Sequence, residues 1–235
     1  MTTRLDGGLA TRLQELGLPA FSPVEPWLRE HPQRVRAAHQ EFVDAGAQAV
    51  LTATFMAAAT PETVAHVVAQ AVAIARTCGV PVWGCSGPVA PHPDGYGALA
   101  AELHNNGVVD LILETFTTAQ QAIDALNAVR RAEPSMAVVV SLVPSDGRVL
   151  GCSTPLVGVY DALMTAGARG VGANCATPEQ VLTACDSAGD APFWAKPSHV
   201  DDWARRTEPL RERCEWLGGC CGVSPSDLAA LWAAP

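Results

Sequence analysis

Short apolar runs alternate along the chain with longer stretches whose apolar positions recur at helical spacing. The first run, 2–5, stops at Asp6-Gly7-Gly8, and a brief helix is expected over 10–16. A Pro-rich loop covers 17–26. Pro32 suits a helix start, Val35, Ala38, Phe42 and Val43 supply its apolar positions, and Gly46 stands just past its end. The β-branched content of 49–55 predicts a buried strand. Thr60 then caps a long helix reaching about Cys78, without a capping box, because Thr63 stands where the box needs Glu or Gln. Further strands are expected at 80–84, 108–113, 136–142, 170–173, 192–195 and 215–218. The helices between and after them fall at 98–105, 118–132, 155–166, 178–187, 202–214 and 225–232.

This is a strand-then-helix unit repeated eight times. Alternating βα units build a parallel sheet covered by helices. Eight of them in 235 residues predict a (β/α)8 TIM barrel, an α/β fold slightly under its typical ~250 residues. No low-complexity tract or linker divides the chain, so one domain over 1–235 is expected. An open doubly wound sheet would carry a Gly-rich dinucleotide loop after its first strand. Asp6-Gly7-Gly8-Leu9-Ala10-Thr11 is not that fingerprint.

Composition narrows the partners. A net charge of -9 argues against a nucleic-acid footprint and against a basic patch for anionic membranes. No stretch approaches the roughly 18 apolar residues of a membrane span. The first residues lack the apolar region of a secretory signal, and eight cysteines without such a signal suggest reduced thiols in a cytoplasmic protein.

In a TIM barrel the chemistry sits at the C-terminal ends of the strands. The residues expected there are Asp6, Thr54, Ser86, Glu114, Asn174, Cys175, Lys196, Cys220 and Cys221, a polar set emerging from apolar runs. Adjacent cysteines make a poor disulfide. Cys220 and Cys221 suit two ligands of one metal such as zinc, and Cys175, ending the sixth strand, could supply a third. Three protein ligands with an open fourth position describe a catalytic zinc. Taken alone, a Cys-Cys pair reads first as two small thiols packed in a core. Asp6 could equally cap a turn, Ser86-Gly87-Pro88 could be a plain turn, and Glu114 could be one half of a structural ion pair. A carboxylate ending a run as apolar as Leu111-Ile112-Leu113 nevertheless needs a partner, which favours function. The six histidines are scattered without ligand-like spacing and read as surface or capping residues.

These stretches resemble the zinc-dependent homocysteine S-methyltransferase family. The resemblance runs through Asp6-Gly7-Gly8-Leu9-Ala10-Thr11, Ala45-Gly46-Ala47, Thr52-Ala53-Thr54-Phe55, Gly84-Cys85-Ser86-Gly87-Pro88 and Asp110-Leu111-Ile112-Leu113-Glu114-Thr115. It continues through Gly172-Ala173-Asn174-Cys175, Ala195-Lys196-Pro197-Ser198 and Gly218-Gly219-Cys220-Cys221. It implies a (β/α)8 barrel with Cys175, Cys220 and Cys221 as zinc thiolates. It further implies that Asp6, with the Gly7-Gly8 backbone, and Glu114 hold the amino-acid end of homocysteine. Thr54, Phe55, Ser86 and Asn174 match pocket residues. The chain departs from the usual member in its shortness, with twenty residues between Pro88 and Val109. Met56 stands where some members carry Tyr, and Ser198 follows Pro197 in place of the usual Asn.

The implied reaction is thiol methylation, homocysteine becoming methionine. The zinc would activate the substrate thiol, so no further catalytic side chain is assigned. The expected donor is a sulfonium, S-methylmethionine or S-adenosylmethionine. The alternatives are a barrel using another thiol, a corrinoid or folate donor delivered by a partner protein, a non-catalytic zinc-binding barrel, and a redox protein using Cys220 and Cys221. The missing Cys-x-x-Cys spacing argues against the last.

Overall fold

The computed structural model describes residues 1–60, 63–88 and 93–233. Eight strands form one parallel sheet: β1 (Thr3–Arg4), β2 (Val50–Leu51), β3 (Val82–Ser86), β4 (Asp110–Phe116), β5 (Ala137–Leu142), β8 (Gly170–Asn174), β9 (Phe193–Lys196) and β10 (Trp216–Leu217). Their order is β1-β10-β9-β8-β5-β4-β3-β2, and a parallel bridge between Leu5 and Ala49 joins the two ends. The amides of Gln48 and Ala49 donate to the Arg4 carbonyl at 2.7 and 3.2 Å across that closure. The fold is the expected TIM barrel. Its helices are α1 (Leu9–Glu15), α2 (Glu25–Glu30), α3 (Pro32–Asp44), α4 (Val64–Arg76), α5 (Asp94–Asn105), α6 (Ala119–Ala132), α7 (Leu156–Thr165), α8 (Pro178–Ser187), α9 (Trp203–Thr207) and α10 (Pro225–Ala233). None of them is long and apolar enough to cross a membrane.

Successive side chains on a strand point to opposite faces, so each strand serves two cores. On β4, Leu111 and Leu113 pack in the layer under the helices, whereas Ile112 faces the barrel interior. The interior is filled by Trp83 from β3, Trp194 from β9 and Trp216 from β10, with ring centroids 5.2 to 6.1 Å apart. Three indoles fit because β8 supplies glycines. A Cβ on Gly172 would lie 2.7 Å from the Trp194 Cβ, and one on Gly170 would lie 3.0 Å from the Trp216 ring. Arg169 lies over the Trp83 and Trp216 rings and bonds Asp110 at 2.6 Å, covering this layer where β8 begins.

Local signals explain most helix ends. Thr118 caps α6, and Thr177 forms a full capping box with Gln180 at the start of α8. Several expectations need correcting. The strand expected over 49–55 keeps only Val50–Leu51, because the Thr54 amide turns back to the Thr52 carbonyl at 2.9 Å. The loop expected over 17–26 gives way at Glu25 to α2, which accommodates Pro26 in its first turn and buries Trp27 and Leu28. The long helix after Thr60 starts at Val64 with Thr63 as its N-cap, and positions 61–62 lie outside the described residues. Helix α5 begins four residues early despite Gly95 and Gly97. A Cβ at Gly95 would sit 2.0 Å from the Ala58 carbonyl oxygen, so close packing explains that glycine. Pro209, which lacks an amide hydrogen, accompanies the end of α9 and a short 3-10 turn over Glu208–Leu210, where one helix over 202–214 was expected.

A small hairpin of β6 (Pro144–Ser145) and β7 (Arg148–Val149) was not expected at all. Its turn, Asp146-Gly147, has φ of 49° and 73°, the two positive values a type I′ hairpin requires.

Trp194 is fully buried among the interior indoles. Trp194→Ala should destabilise the barrel by about 3–5 kcal/mol, read by urea unfolding. A loss below about 1 kcal/mol would show that the interior collapses freely around the gap.

Candidate metal centre and substrate cavity

Cys175 follows the last residue of β8 in the left-handed region, at φ 55°, and so leaves the strand sharply. Cys220 and Cys221 lie in the loop after β10. That loop is pinned by backbone bonds from Gly219 to Asp6 (3.0 Å), Cys220 to Pro197 (2.9 Å) and His199 to Cys221 (2.8 Å). Gly8 lets it approach, since a Cβ there would lie 2.5 Å from the Cys220 carbonyl oxygen. The three sulfurs stand 3.1 Å (Cys175–Cys220), 3.8 Å (Cys220–Cys221) and 4.0 Å (Cys175–Cys221) apart. A tetrahedral zinc with Zn–S bonds near 2.3 Å sets its sulfurs about 3.8 Å apart, so this donor set fits such an ion. Hydrogen bonds from Cys175 and Cys220 pull the Cys221 thiol down, and bonding to Cys220 and Cys221 pushes Cys175 up.

Asn174 steadies this cluster. Its Nδ2 donates to Cys175 Sγ at 3.3 Å, to Cys220 Sγ at 3.8 Å and to the Thr115 hydroxyl at 2.8 Å. Its Oδ1 accepts from Ser141 Oγ at 2.7 Å and from the Thr115 amide at 3.0 Å. Because those donors claim the oxygen, the amide nitrogen is turned toward the sulfurs.

Beside the thiols lies a buried charge cluster. Lys196 Nζ bonds Asp6 Oδ1 at 2.7 Å, and Asp6 Oδ2 accepts the Leu51 amide at 2.8 Å. Cys85 Sγ donates to Glu114 Oε1 at 3.0 Å. Burial pushes the Glu114 carboxyl up to about 7 even though Lys196 opposes the shift. Burial alone would lower the Lys196 ammonium, but Asp6 and Glu114 outweigh it and hold it raised. Burial and the neighbouring Glu114 carboxylate keep the Cys85 thiol protonated.

Thiols and charge cluster line one cavity of about 370 Å³, in the usual range for a small ligand. Of the residues expected at the site, Asp6, Gly7, Gly8, Phe55, Glu114, Cys175, Cys220 and Cys221 line it. Thr54, Ser86 and Asn174 are fully buried and absent from its wall. The Thr54 hydroxyl bonds Thr52 Oγ1 and the Cys85 carbonyl, both at 2.7 Å, so it braces β2 against β3.

Thr52, Cys85, Thr115 and Glu25 line the cavity without having been expected there. Lys196 was placed at a strand end but given no role, although a signal existed: it is the chain's sole lysine, ending an apolar run. The histidine reading needs one correction. His39 on α3 is fully buried, and burial keeps it neutral.

The homocysteine S-methyltransferase family profile matches residues 4–234. The chain belongs to that family. It is therefore a methyltransferase, and the family's reaction is methylation of a thiol, that of homocysteine. Among solved structures, the metallated form of the homocysteine methyltransferase MmuM from Escherichia coli superposes with a TM-score of 0.84 at 23% identity, over 99% of this chain and 96% of that one. The oxidized form gives 0.85 at 22% identity, over 99% and 95%. The phosphonopyruvate hydrolase complex with oxalate and Mg++, at TM-score 0.56 and 13% identity, covers 99% of this chain and 79% of its own. At these identities the structures speak for the fold. Comparison with curated proteins gives no match.

Burial pushes the Glu114 carboxyl up to about 7, against 4.5 for an unperturbed glutamate. Between those values the folded chain holds more protons than the unfolded one. The stabilisation from Glu114 is therefore complete below about 4.5 and is lost as pH rises to about 7. Urea unfolding across this window should show Glu114→Gln gaining on wild type as pH rises. A difference that does not change with pH would contradict the assignment.

Proposed function

We propose that this methyltransferase, as one domain spanning 1–235, transfers a methyl group from a sulfonium donor to homocysteine at a zinc site. Cys175, Cys220 and Cys221 would hold the ion as thiolates, and their spacing supports this reading. Bound there, zinc would supply the Lewis acidity that keeps a substrate thiol deprotonated at neutral pH, where a free thiol of pKa near 8.5 is mostly protonated.

The protein's own groups bind and orient. Glu114 and Asp6 face the cavity beside the thiols and suit the ammonium end of the acceptor. An ammonium arriving at Glu114 favours its ionised form, so binding the acceptor would draw down a carboxyl that burial otherwise keeps raised. Lys196 stays on Asp6 and prevents two adjacent acids from becoming an unbalanced buried charge. The Gly7-Gly8 backbone offers a close wall without side chains. With both ends of the acceptor held, its sulfur meets the methyl carbon in line. The new S–CH3 bond forms as the donor's CH3–S bond breaks, and the donor leaves as a neutral thioether. We place the enzyme in the cytoplasm on its reduced thiols.

The observation that carries this reading is the convergence of three thiols from β8 and the loop after β10 against the Asp6–Lys196–Glu114 cluster. Metal analysis of protein prepared under reducing conditions should find about one zinc per chain, lost in Cys175→Ala. Wild type that takes up no zinc when it is supplied would sink the proposal. Cys220→Ala should abolish both metal retention and turnover. Glu114→Ala should instead raise the homocysteine KM while the metal stays bound, and loss of metal in that variant would reassign Glu114 to supporting the metal.

A further inference from the structure

The cavity wall has a second acidic side, contributed by Glu25 at the start of α2. Its Oε1 accepts the Met56 amide at 2.7 Å, which ties the start of α2 to the segment after β2. Its Oε2 is sealed from solvent and has no hydrogen-bond partner among the described residues. Burial raises its pKa, and only backbone amides oppose that shift. The one ammonium in the cavity wall, Lys196, is already engaged by Asp6 at 2.7 Å. A half-buried carboxylate with one oxygen unmatched is costly, and a cation in the cavity beside it would offset that cost through the field of the carboxylate rather than by touching the sealed oxygen.

The surroundings indicate which kind of cation. Val24, Met56 and Phe55, the only aromatic side chain among the described lining residues, stand in the wall with Glu25. They offer apolar and π surface and few hydrogen-bond acceptors. A methylated onium centre has no hydrogen to donate and is held by charge and by such surface. An anionic donor would instead meet an uncompensated acid. Resting on the methyl-transfer reading above, we infer that Glu25 is the specificity-determining residue of the donor side. Its negative charge in the cavity wall favours a methyl onium donor and disfavours anionic ones.

Glu25→Gln separates charge from structure, because the glutamine oxygen can still accept the Met56 amide. Calorimetric titration of the metal-loaded enzyme should show S-methylmethionine binding about tenfold weaker in this variant, the loss expected when a charged partner becomes neutral. Homocysteine affinity and metal content should match wild type. Glu25→Asp, which keeps the charge, should recover part of the lost affinity. Three results would overturn the inference. They are unchanged S-methylmethionine affinity in Glu25→Gln, equal losses of S-methylmethionine and homocysteine affinity in both variants, and wild type that binds neither S-methylmethionine nor S-adenosylmethionine. Glu25-dependent binding of S-methylmethionine without any methyl transfer would uphold the inference and overturn the functional reading instead.

Discussion

The mouth of this barrel depends on one buried ammonium. Lys196, at the end of β9, bonds Asp6 just beyond β1, and the other Asp6 oxygen takes the Leu51 amide of β2. Glu114 of β4 lies close enough to feel the same charge. A buried ion pair adds little net stability once the desolvation of both ions is counted, but removing one partner leaves the other stranded at considerable cost. The pair is better understood as a constraint on position. It fixes where β1, β2 and β9 end relative to one another, and it leaves Glu114 poised between its charged and neutral forms.

The thiol cluster is built against that frame. The Gly219 amide bonds the Asp6 carbonyl, and Gly8 leaves room for the Cys220 carbonyl, so the cysteine loop rests on the same turn that presents Asp6. From the other side Asn174 points its amide nitrogen at two of the three sulfurs because Ser141 and Thr115 occupy its oxygen. The proposed metal ligands and the acids proposed to bind the acceptor thus share backbone, which suits a reaction in which sulfur and ammonium of one small substrate must both be held. Farther down, polar side chains give way to Trp83, Trp194 and Trp216, which fill the interior only because β8 carries Gly170 and Gly172. This packed layer is the rigid floor on which the site is organised.

Much of this was legible in the chain. Eight apolar runs at regular spacing led to the barrel, and the polar residues ending them led to Asp6, Glu114, Cys175, Cys220 and Cys221, all of which line the cavity. What was misread has local causes. Pro26 falls in an expected loop and the helix expected over 98–105 begins after Gly95, yet Pro26 occupies a first turn, where its missing amide hydrogen costs nothing, and Gly95 lies inside the helix against a backbone carbonyl. Asp146-Gly147 carried a hairpin signal that went unread. Thr54, Ser86 and Asn174 stand in motif positions, but their side chains turn into the protein, where Thr54 and Asn174 brace neighbouring strands and Ser86 bonds the next carbonyl.

By itself the sequence determined the order of the eight βα units, the closed βα architecture and the identity of the groups at the strand ends. Those follow from periodicity and chain order, which are local properties. Only the tertiary structure decided which of those groups meet. Lys196 and Asp6 are 190 positions apart, Cys175 and Cys220 are 45 apart, and neither pairing has a local signature. The unpartnered oxygen of Glu25 is likewise a matter of what surrounds it, since a carboxylate's charge is written in the chain but its desolvation is set by the fold.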